Sequence, residues 1–385
     1  MANSTIFVTC SRGVDAYLAQ EIASRGFSVL TRTQAGVETE GSMKDAMDLN
    51  LHLRTGLRVL LRTAEFAARD PDDLYRKIIA IPWEEIISVT GYFSITSTVD
   101  TPSIDNSRFA NQKCKDAIAD RFMKKFGSRP NSGPERDRIV IHLRWQGEAG
   151  TVYIDTSGEP LSKRAYRKVP WKAPLQETLA AALVMATGWH DECTFINPMC
   201  GSGTLAIEAA LMGLNRPAAI LRENFGFMHL KGFNPGVWTE LRAGAKRRTK
   251  NRLGSRIIAT DISNAAIDAA RRNARTAGVE HLIEFGRSDF ADTEIPEGGG
   301  VLLMNPEYGE RMGKNADLER VYRQIGDFLK QKCRGYRGYV FTGNADLAKK
   351  IGLRTSRKLP FFNGPIGCRL LEYELYEGSR KENRG

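Results

Sequence analysis

Three short clusters carry residue types suited to holding a nucleoside-like ligand. Asn197-Pro198-Met199-Cys200-Gly201-Ser202-Gly203-Thr204 places glycines where a short apolar run gives way to a helical pattern. Glycine accepts positive φ and lets a ligand approach the main chain at the start of a helix. The spacing is not that of a dinucleotide turn and no phosphate-loop lysine follows, which disfavours NAD and nucleoside triphosphates. A turn of this kind can also do no more than join strand to helix. Asp261, in Thr260-Asp261-Ile262, can accept both hydroxyls of a ribose, or serve as the acid of a helix N-terminus. Asp289, in Gly286-Arg287-Ser288-Asp289-Phe290, can accept from an adenine amino group beside a backbone amide, or cap a loop. A fourth cluster, Asn305-Pro306-Glu307-Tyr308-Gly309-Glu310-Arg311, follows the next apolar run.

These clusters need a scaffold that brings them to one edge. From Cys193 onward, short apolar runs alternate with helix-length segments: Cys193 to Asn197, a helix from Gly203 to Met212, Arg256 to Asp261, a helix from Asn264 to Ala277, Ile283 to Phe285, Val301 to Asn305, a helix from Leu318 to Lys332, and Gly338 to Thr342. That rhythm predicts a parallel sheet with crossover helices, an α/β doubly wound fold. Such sheets bind ligands at the carboxyl ends of their strands, where all four clusters fall. Gly367 to Glu377 reads as a last, antiparallel strand closing the sheet.

The front of the chain has a different pattern. Strands at Thr5 to Thr9, Phe27 to Thr31 and Gly36 to Thr39, with helices at Val14 to Ser24 and Ser42 to Leu53, make a small α+β unit. A second α+β unit follows, with strands near Val59 to Ala64, Tyr92 to Thr98, Ile139 to Trp145 and Thr151 to Asp155, and helices near Pro71 to Ile79 and Asn106 to Phe126.

The chain has 385 residues, 56 basic and 45 acidic, for a net charge of +11. This moderate excess is compatible with a polyanionic partner without requiring one. Hydrophobic residues make up 42%, too many for a disordered chain. No apolar run approaches the ~18 residues of a membrane span, and the start lacks the pattern of a secretory signal, so the default location is cytoplasmic. The six cysteines form no CxxC pair and the five histidines show no ligand spacing against them, so neither disulfides nor a metal is expected.

Two segments concentrate positive charge. Leu161 to Lys172 holds Lys163, Arg164, Arg167, Lys168 and Lys172 interleaved with Tyr166 and Trp171. It is either a solvated interdomain connector or a strip that contacts phosphates and bases. Asp261 lies far beyond the ~20-residue offset of a simple nucleotide-binding unit, so an insertion, Asn215 to Lys250, is expected before it; it carries the basic run Lys246-Arg247-Arg248. Phe225, Phe227 and Trp238 in that insertion read as core packing, and Cys200 as a small apolar residue rather than a nucleophile.

At Asn305 to Arg311 the sequence resembles the class I S-adenosylmethionine-dependent methyltransferases that act on exocyclic amines, whose motif is Asn or Asp, Pro, Pro, aromatic. More narrowly it resembles the bacterial methyltransferases of 23S ribosomal RNA that carry a THUMP domain and methylate position 2 of a guanine. Their pattern of Asn or Asp followed by Pro-x-Cys-Gly-Ser-Gly-Thr matches Asn197 to Thr204, and Glu307 stands where their second proline belongs. The resemblance extends through Asn106-Ser107 and Lys113 to Ile118 (a THUMP helix), Lys163 to Arg167 (a connector), Ala173 to Ala180 (a helix before the first strand) and Phe362-Asn363-Gly364 with Cys368.

The resemblance implies a ferredoxin-like unit at 1–55, a THUMP unit at 56–160, the connector at 161–172 and a Rossmann-like methyltransferase domain at 173–385. It implies S-adenosylmethionine held by Pro174, Asn197, Pro198, Cys200, Gly201, Ser202, Gly203, Thr204, Asp261, Ile262, Asp289 and Asn305, with Ile262 against the adenine. Asn305 and the Pro306 carbonyl would accept the hydrogens of the guanine amine and aim its lone pair at the methyl group, and Tyr308 would stack on the extruded base. Structured RNA, 23S ribosomal RNA in preference to transfer RNA, would be gripped by Lys113, Lys163, Arg164, Tyr166, Arg167, Lys168, Lys246, Arg247 and Arg248. Rival readings are a noncatalytic RNA-binding protein disabled at Glu307, and methylation of DNA adenine or protein glutamine by the same Asn-Pro-x-Tyr logic.

Overall fold

A computed structural model of the chain describes residues 3–104, 106–171, 174–309 and 315–376. Glu310, Arg311, Lys172, Ala173 and Glu377, each part of a motif or strand read from the sequence, lie outside the described residues. The chain forms two compact units that are not contiguous in sequence: Met1–Cys10, Leu18–Lys163 and Arg222–Ala245 make the first, and Ser11–Tyr17, Arg164–Leu221 and Lys246–Gly385 the second.

The first unit is built on one eight-stranded sheet. In chain order its elements are β1 (Ser4–Cys10), α1 (Asp15–Ser24, which crosses the boundary at Tyr17), β2 (Thr31–Thr33), β3 (Gly36–Gly41), α2 (Met43–His52), β4 (Gly56–Ala67), α3 (Pro71–Ala80), β5 (Tyr92–Asp100), α4 (Ser107–Phe126), β6 (Asn131–Ser132), β7 (Ile139–Gln146) and β8 (Ala149–Asp155). The strand order is β2-β3-β1-β4-β8-β7-β5-β6, so antiparallel pairing of β1 with β4 joins the two predicted α+β patterns into a single sheet. Alternation in β1 turns Ile6 and Val8 into the core, where they are fully buried. The helices start where the sequence offers caps: Ser42 and Asp45 form a reciprocal capping box on α2, and Asp70 caps α3 ahead of Pro71.

The strand expected at Phe27 to Thr31 is instead β2, beginning only at Thr31. Val29 and Leu30 stay exposed, and regular pairing starts where Thr31 meets Glu38 of β3. Apolar residues alone do not make a strand without a partner edge. The insertion sends residues 222–245 back to this first unit. There Phe225, Phe227 and Trp238 are buried and pack ring against ring, as expected, with Phe225 and Trp238 centroids 5.2 Å apart. Arg222 donates to the carbonyls of Ser157, Glu159, Pro160 and Asn224, and burial lowers its pKa to about 10.

The second unit carries α5 (Glu177–Ala186), β9 (Thr194–Pro198), α6 (Thr204–Gly213), the end of α7 (Pro235–Arg247), β10 (Ile257–Asp261), α8 (Asn264–Ala277), β11 (Glu284–Arg287), β12 (Gly300–Met304), α9 (Asn315–Lys332), β13 (Tyr336–Thr342), α10 (Ala345–Lys350), β14 (Arg357–Asn363) and β15 (Ile366–Glu374). The order is β11-β10-β9-β12-β13-β15-β14, with parallel pairing from β11 to β13. β15 is antiparallel to β13, as the sequence indicates, but it does not close the sheet. β14, absent from the sequence reading, occupies the edge beside it. Its sequence RKLPFFN carries two cations and Pro360, devices that suit an edge and conceal a strand pattern. The two-residue connection Gly364-Pro365, with Gly364 at φ 60°, has the glycine-first chemistry of a tight hairpin. Among the described residues no helix is long and apolar enough to cross a membrane.

Candidate active site

Sequence order reverses across β9: its partners in the sheet are β10 on one side and β12 on the other. The carboxyl ends of these strands deliver the glycine turn, Asp261 and Asn305 to one edge of the sheet. Loops leave the sheet in opposite directions at such a reversal, which opens a crevice between them.

The turn after β9 is held in an unusual backbone form. Met199, Gly201 and Gly203 have φ of 56°, 54° and 80°. The Cys200 N–H donates to the Thr260 carbonyl at 2.9 Å, and the Gly201 N–H to Asp261 Oδ2 at 2.9 Å. Gly203 is required twice over, since a Cβ there would stand 2.9 Å from the Ala270 Cβ of α8. Gly201 is open, with only Trp171 among the described residues within 4 Å of a would-be Cβ, so a ligand can come close to its main chain. Asp261 also accepts from the Ser263 N–H at 2.9 Å, so it performs the helix-start role. A carboxylate has about four acceptor positions, which leaves it capacity for ribose hydroxyls as well. Ile262 is 65% exposed beside it, a large apolar side chain facing solvent at the crevice edge. Asp289 is exposed and accepts from the Ala291 N–H at 2.9 Å, the loop-capping role.

Four of the proposed cofactor residues differ in exposure. Asn197 is fully buried, and its amide donates to the Leu303 carbonyl at 2.8 Å, tying β9 to β12 beneath the turn. Its amide nitrogen acts as a strut, while its Oδ1 is buried with no hydrogen-bond partner among the described residues. Pro198 is buried likewise, while Pro174 is exposed ahead of α5. Cys200 is buried, and desolvation together with the Asp261 charge pushes its thiol well up, so it stays protonated and inert.

The connector is largely a clamp and only partly a basic surface. Arg164 and Tyr166 are 1% exposed; Arg164 donates to one Glu208 oxygen at 2.6 Å and Tyr166 to the other at 2.8 Å. Arg167 donates to Glu177 at 2.8 Å, to the Leu175 carbonyl at 2.7 Å and to Ser202 Oγ at 3.4 Å. Arg164 and Tyr166 are enclosed and have no reach to a phosphate, which corrects the expectation for these two, while half-buried Arg167 spends three of its donors inside the unit. Interleaved Arg and Tyr read as a nucleic-acid strip only while Glu208, more than 40 residues away, is unseen. Lys168 and, at the end of α7, Lys246, Arg247 and the following Arg248 do expose their side chains. In the first unit, Lys163 is exposed beside Glu159, and Lys113 pairs with Asp72 at 2.9 Å. A residue the sequence reading missed completes the clamp: buried Asn273 of α8 accepts from the Lys168 and Val169 N–H groups at 2.9 and 3.0 Å and donates to the Val169 and Ser202 carbonyls at 2.9 and 3.2 Å.

At the end of β12, Asn305 Oδ1 is enclosed and has no hydrogen-bond partner. An orphan buried acceptor is costly and is commonly reserved for a ligand's donor. Pro306 is buried and Glu307 is exposed to solvent. Tyr308 is half-buried, its ring edge-on to Phe341 at 6.1 Å and against Gly343, where a Cβ would lie 2.8 Å from the ring. Its hydroxyl accepts from Asn363 at 2.9 Å and from the Cys368 thiol. The Asn363-Gly364 turn thus fixes Tyr308, and desolvation raises the phenol pKa to about 12.

A doubly wound sheet with this strand order, an antiparallel β15, a glycine turn after β9 and Asn-Pro-x-Tyr after β12 together define a class I methyltransferase domain. Comparison with known proteins carries this further: residues 164–372 match the family described as RMKL-like, methyltransferase domain, residues 5–60 an RlmL ferredoxin-like domain and residues 68–155 a THUMP domain. The chain belongs to that RMKL-like methyltransferase family. It is 38% identical over 96% of its length to Ribosomal RNA large subunit methyltransferase K/L of Syntrophotalea carbinolica, covering 53% of that protein. It therefore spans about half the length of the curated relatives it matches first. It is also 36% identical to slr0064 of Synechocystis, provisionally named an RNA methyltransferase, with 96% of each chain covered. Among solved structures, SMU.472, provisionally a methyltransferase and complexed with SAH, superposes with a TM-score of 0.89 at 25% identity, covering 98% of this chain and 99% of its own.

Proposed function

We propose that the chain is an S-adenosylmethionine-dependent RNA methyltransferase that methylates the exocyclic N2 amine of one guanine in large-subunit ribosomal RNA. The single observation that carries the reading is the orphan Asn305 Oδ1 beside the Pro306 carbonyl and the Tyr308 ring. The names of the K/L relatives support ribosomal RNA as the substrate class. The division into ferredoxin-like, THUMP, connector and methyltransferase segments at 1–55, 56–160, 161–172 and 173–385 is part of the same proposal.

The methyl donor fits the crevice: Gly201 admits close approach, Asp261 has free acceptor capacity, and Ile262 offers an apolar face for adenine. When bound, S-adenosylmethionine supplies an electrophilic methyl group. The chain's own residues supply position. A guanine amine is a weak nucleophile because its lone pair is delocalised into the ring. Accepting its two hydrogens at Asn305 Oδ1 and the Pro306 carbonyl leaves the lone pair directed away from both acceptors. Tyr308, pinned by Asn363, holds the base plane from one side, so displacement proceeds in line. The methylated amine is strongly acidic and passes a proton to water without a histidine. Exposed Glu307 removes neither acceptor, so the departure from the family motif leaves the chemistry intact.

The test incubates the protein with S-adenosylmethionine and, separately, unmodified ribosomal and transfer RNA, then identifies nucleosides by mass spectrometry. 2-Methylguanosine in 23S ribosomal RNA is the expected product. 2-Methylguanosine in transfer RNA would overturn the substrate, 6-methyladenosine would overturn the target base, and no product despite cofactor binding would overturn the activity.

A further inference from the structure

A cavity of about 540 Å³ opens beside the carboxyl end of β13, on the face of β13, β15 and β14 against which α10 lies. Thr342, Asn344, Thr355, Lys349, Lys358 and Arg369 supply its polar wall. Register places the two central cations together. Lys358 lies opposite Leu371 and Arg369 opposite Pro360, so Lys358 and Arg369 are diagonal neighbours on one face of the β14–β15 hairpin. Diagonal positions bring side chains within ~7–8 Å of each other at the backbone.

Neighbouring cations are neutralised: Arg357 faces Glu372, Lys350 pairs with Glu319 and Lys349 with Asp346. Lys358 and Arg369 have no carboxylate within salt-bridge distance among the described residues. Two like charges side by side on a sheet face are unfavourable unless an anion lies between them. The cavity also adjoins the proposed catalytic pocket. Gly343 lines it while touching the Tyr308 ring from the other side, and Gly367 lines it next to Cys368, whose thiol donates to the Tyr308 hydroxyl.

From this the geometry points to a phosphodiester site: Arg369 and Lys358 seat the backbone phosphate of a nucleotide adjoining the methylated base, while Asn344 and Thr355 meet its ribose or phosphate oxygens. The strand crosses the sheet edge at Gly343, where the absence of a side chain lets Tyr308 and the backbone come together. This assignment rests on the RNA-methyltransferase reading and adds the chain's own means of registering the target base in its pocket. The cations belong to the methyltransferase unit, so they grip RNA at the reacting nucleotide independently of the first unit.

The test measures RNA binding by filter retention across a salt series, and methyl transfer, for the full chain and for Arg369→Ala, Lys358→Ala and their double variant, with in vitro transcribed 23S ribosomal RNA. The double variant is expected to raise the KM for RNA at least 10-fold, leave the dissociation constant for S-adenosylmethionine unchanged, and lower the log–log salt slope by about 0.7, the loss of one phosphate contact on a single strand. The exchange R369K with K358R should restore binding to within about 3-fold, which a folding defect would not. An unaltered KM and salt slope in the double variant, or no RNA binding by the parent chain, overturns the phosphate site. RNA binding with the predicted slope change but no methylated nucleoside from the parent chain overturns the catalytic reading and leaves the site standing.

Discussion

The Asn273 side-chain amide donates to the Ser202 carbonyl at 3.2 Å, while its oxygen accepts from the Lys168 and Val169 N–H groups. One buried side chain thereby ties the glycine turn to the connector and to α8. Its loss orphans two backbone donors and two carbonyls, at ~1–3 kcal/mol for each buried group left unsatisfied. Asn273→Ala is therefore expected to lower the unfolding midpoint and to weaken S-adenosylmethionine binding by 10-fold or more. Titration calorimetry at a temperature where the variant is folded checks it. Unchanged cofactor affinity in a folded variant would mean that Asn273 supports the fold without shaping the turn.

Arg164 and Glu208 have completely buried side chains, joined at 2.6 Å. Removing one partner of a buried ion pair leaves an uncompensated charge and costs about 3–5 kcal/mol. Arg164→Ala should be destabilised by that amount in denaturant, and Arg164→Met with Glu208→Leu should recover most of it. Lys168→Ala, at an exposed position further along the connector, should leave stability within ~0.5 kcal/mol and reduce RNA affinity at low salt. If Arg164→Ala instead keeps its stability and loses RNA affinity, the buried assignment is wrong.

Much of the second unit was legible because strand ends and motifs coincide: a parallel sheet puts chemistry at carboxyl ends, so Asn197, Asp261, Asp289 and Asn305 point to one edge before any coordinates. What stayed hidden depends on long-range partners. Arg164 reads as a phosphate ligand until Glu208 is seen beneath it. Asn273 is one polar residue in an alanine-rich helix, with no local signal of its four bonds. β14 hides because an edge strand needs no alternating pattern and tolerates Lys358 and Pro360. Residues 222–245 read as an insertion within one domain, whereas their aromatic core belongs to the first unit.

Asn305 and Tyr308 make separable contributions on the proposed mechanism. Asn305→Ala removes the orphan acceptor and nothing that holds the fold, so kcat should fall at least 1,000-fold on the scale of lost orientation, roughly 4 kcal/mol, with a far smaller effect on cofactor affinity. Tyr308→Phe keeps the ring but loses the bond from Asn363, which predicts a loss in kcat of ~10-fold, and Tyr308→Ala a far larger one. Single-turnover methylation with labelled cofactor checks the series. Full activity in Asn305→Ala would remove that residue from the reaction.

His142 gives the first unit a pH dependence of defined sign. Burial, reinforced by Arg58, Arg144 and Arg136, lowers its pKa from 6.5 to about 4, and its ring bonds Thr96 Oγ1 at 3.0 Å. Between these values the unfolded chain binds the proton and the folded chain does not, so stability rises with pH. The contribution is fully present above pH 6.5 and is lost as pH falls toward about 4, amounting to roughly 3 kcal/mol at ~1.4 kcal/mol per pKa unit. Denaturant midpoints measured from pH 7 to pH 4.5 should fall for the parent chain and fall less for His142→Gln, which keeps a polar partner for Thr96 and cannot titrate. Parallel slopes for the two proteins would place the acid sensitivity in other groups.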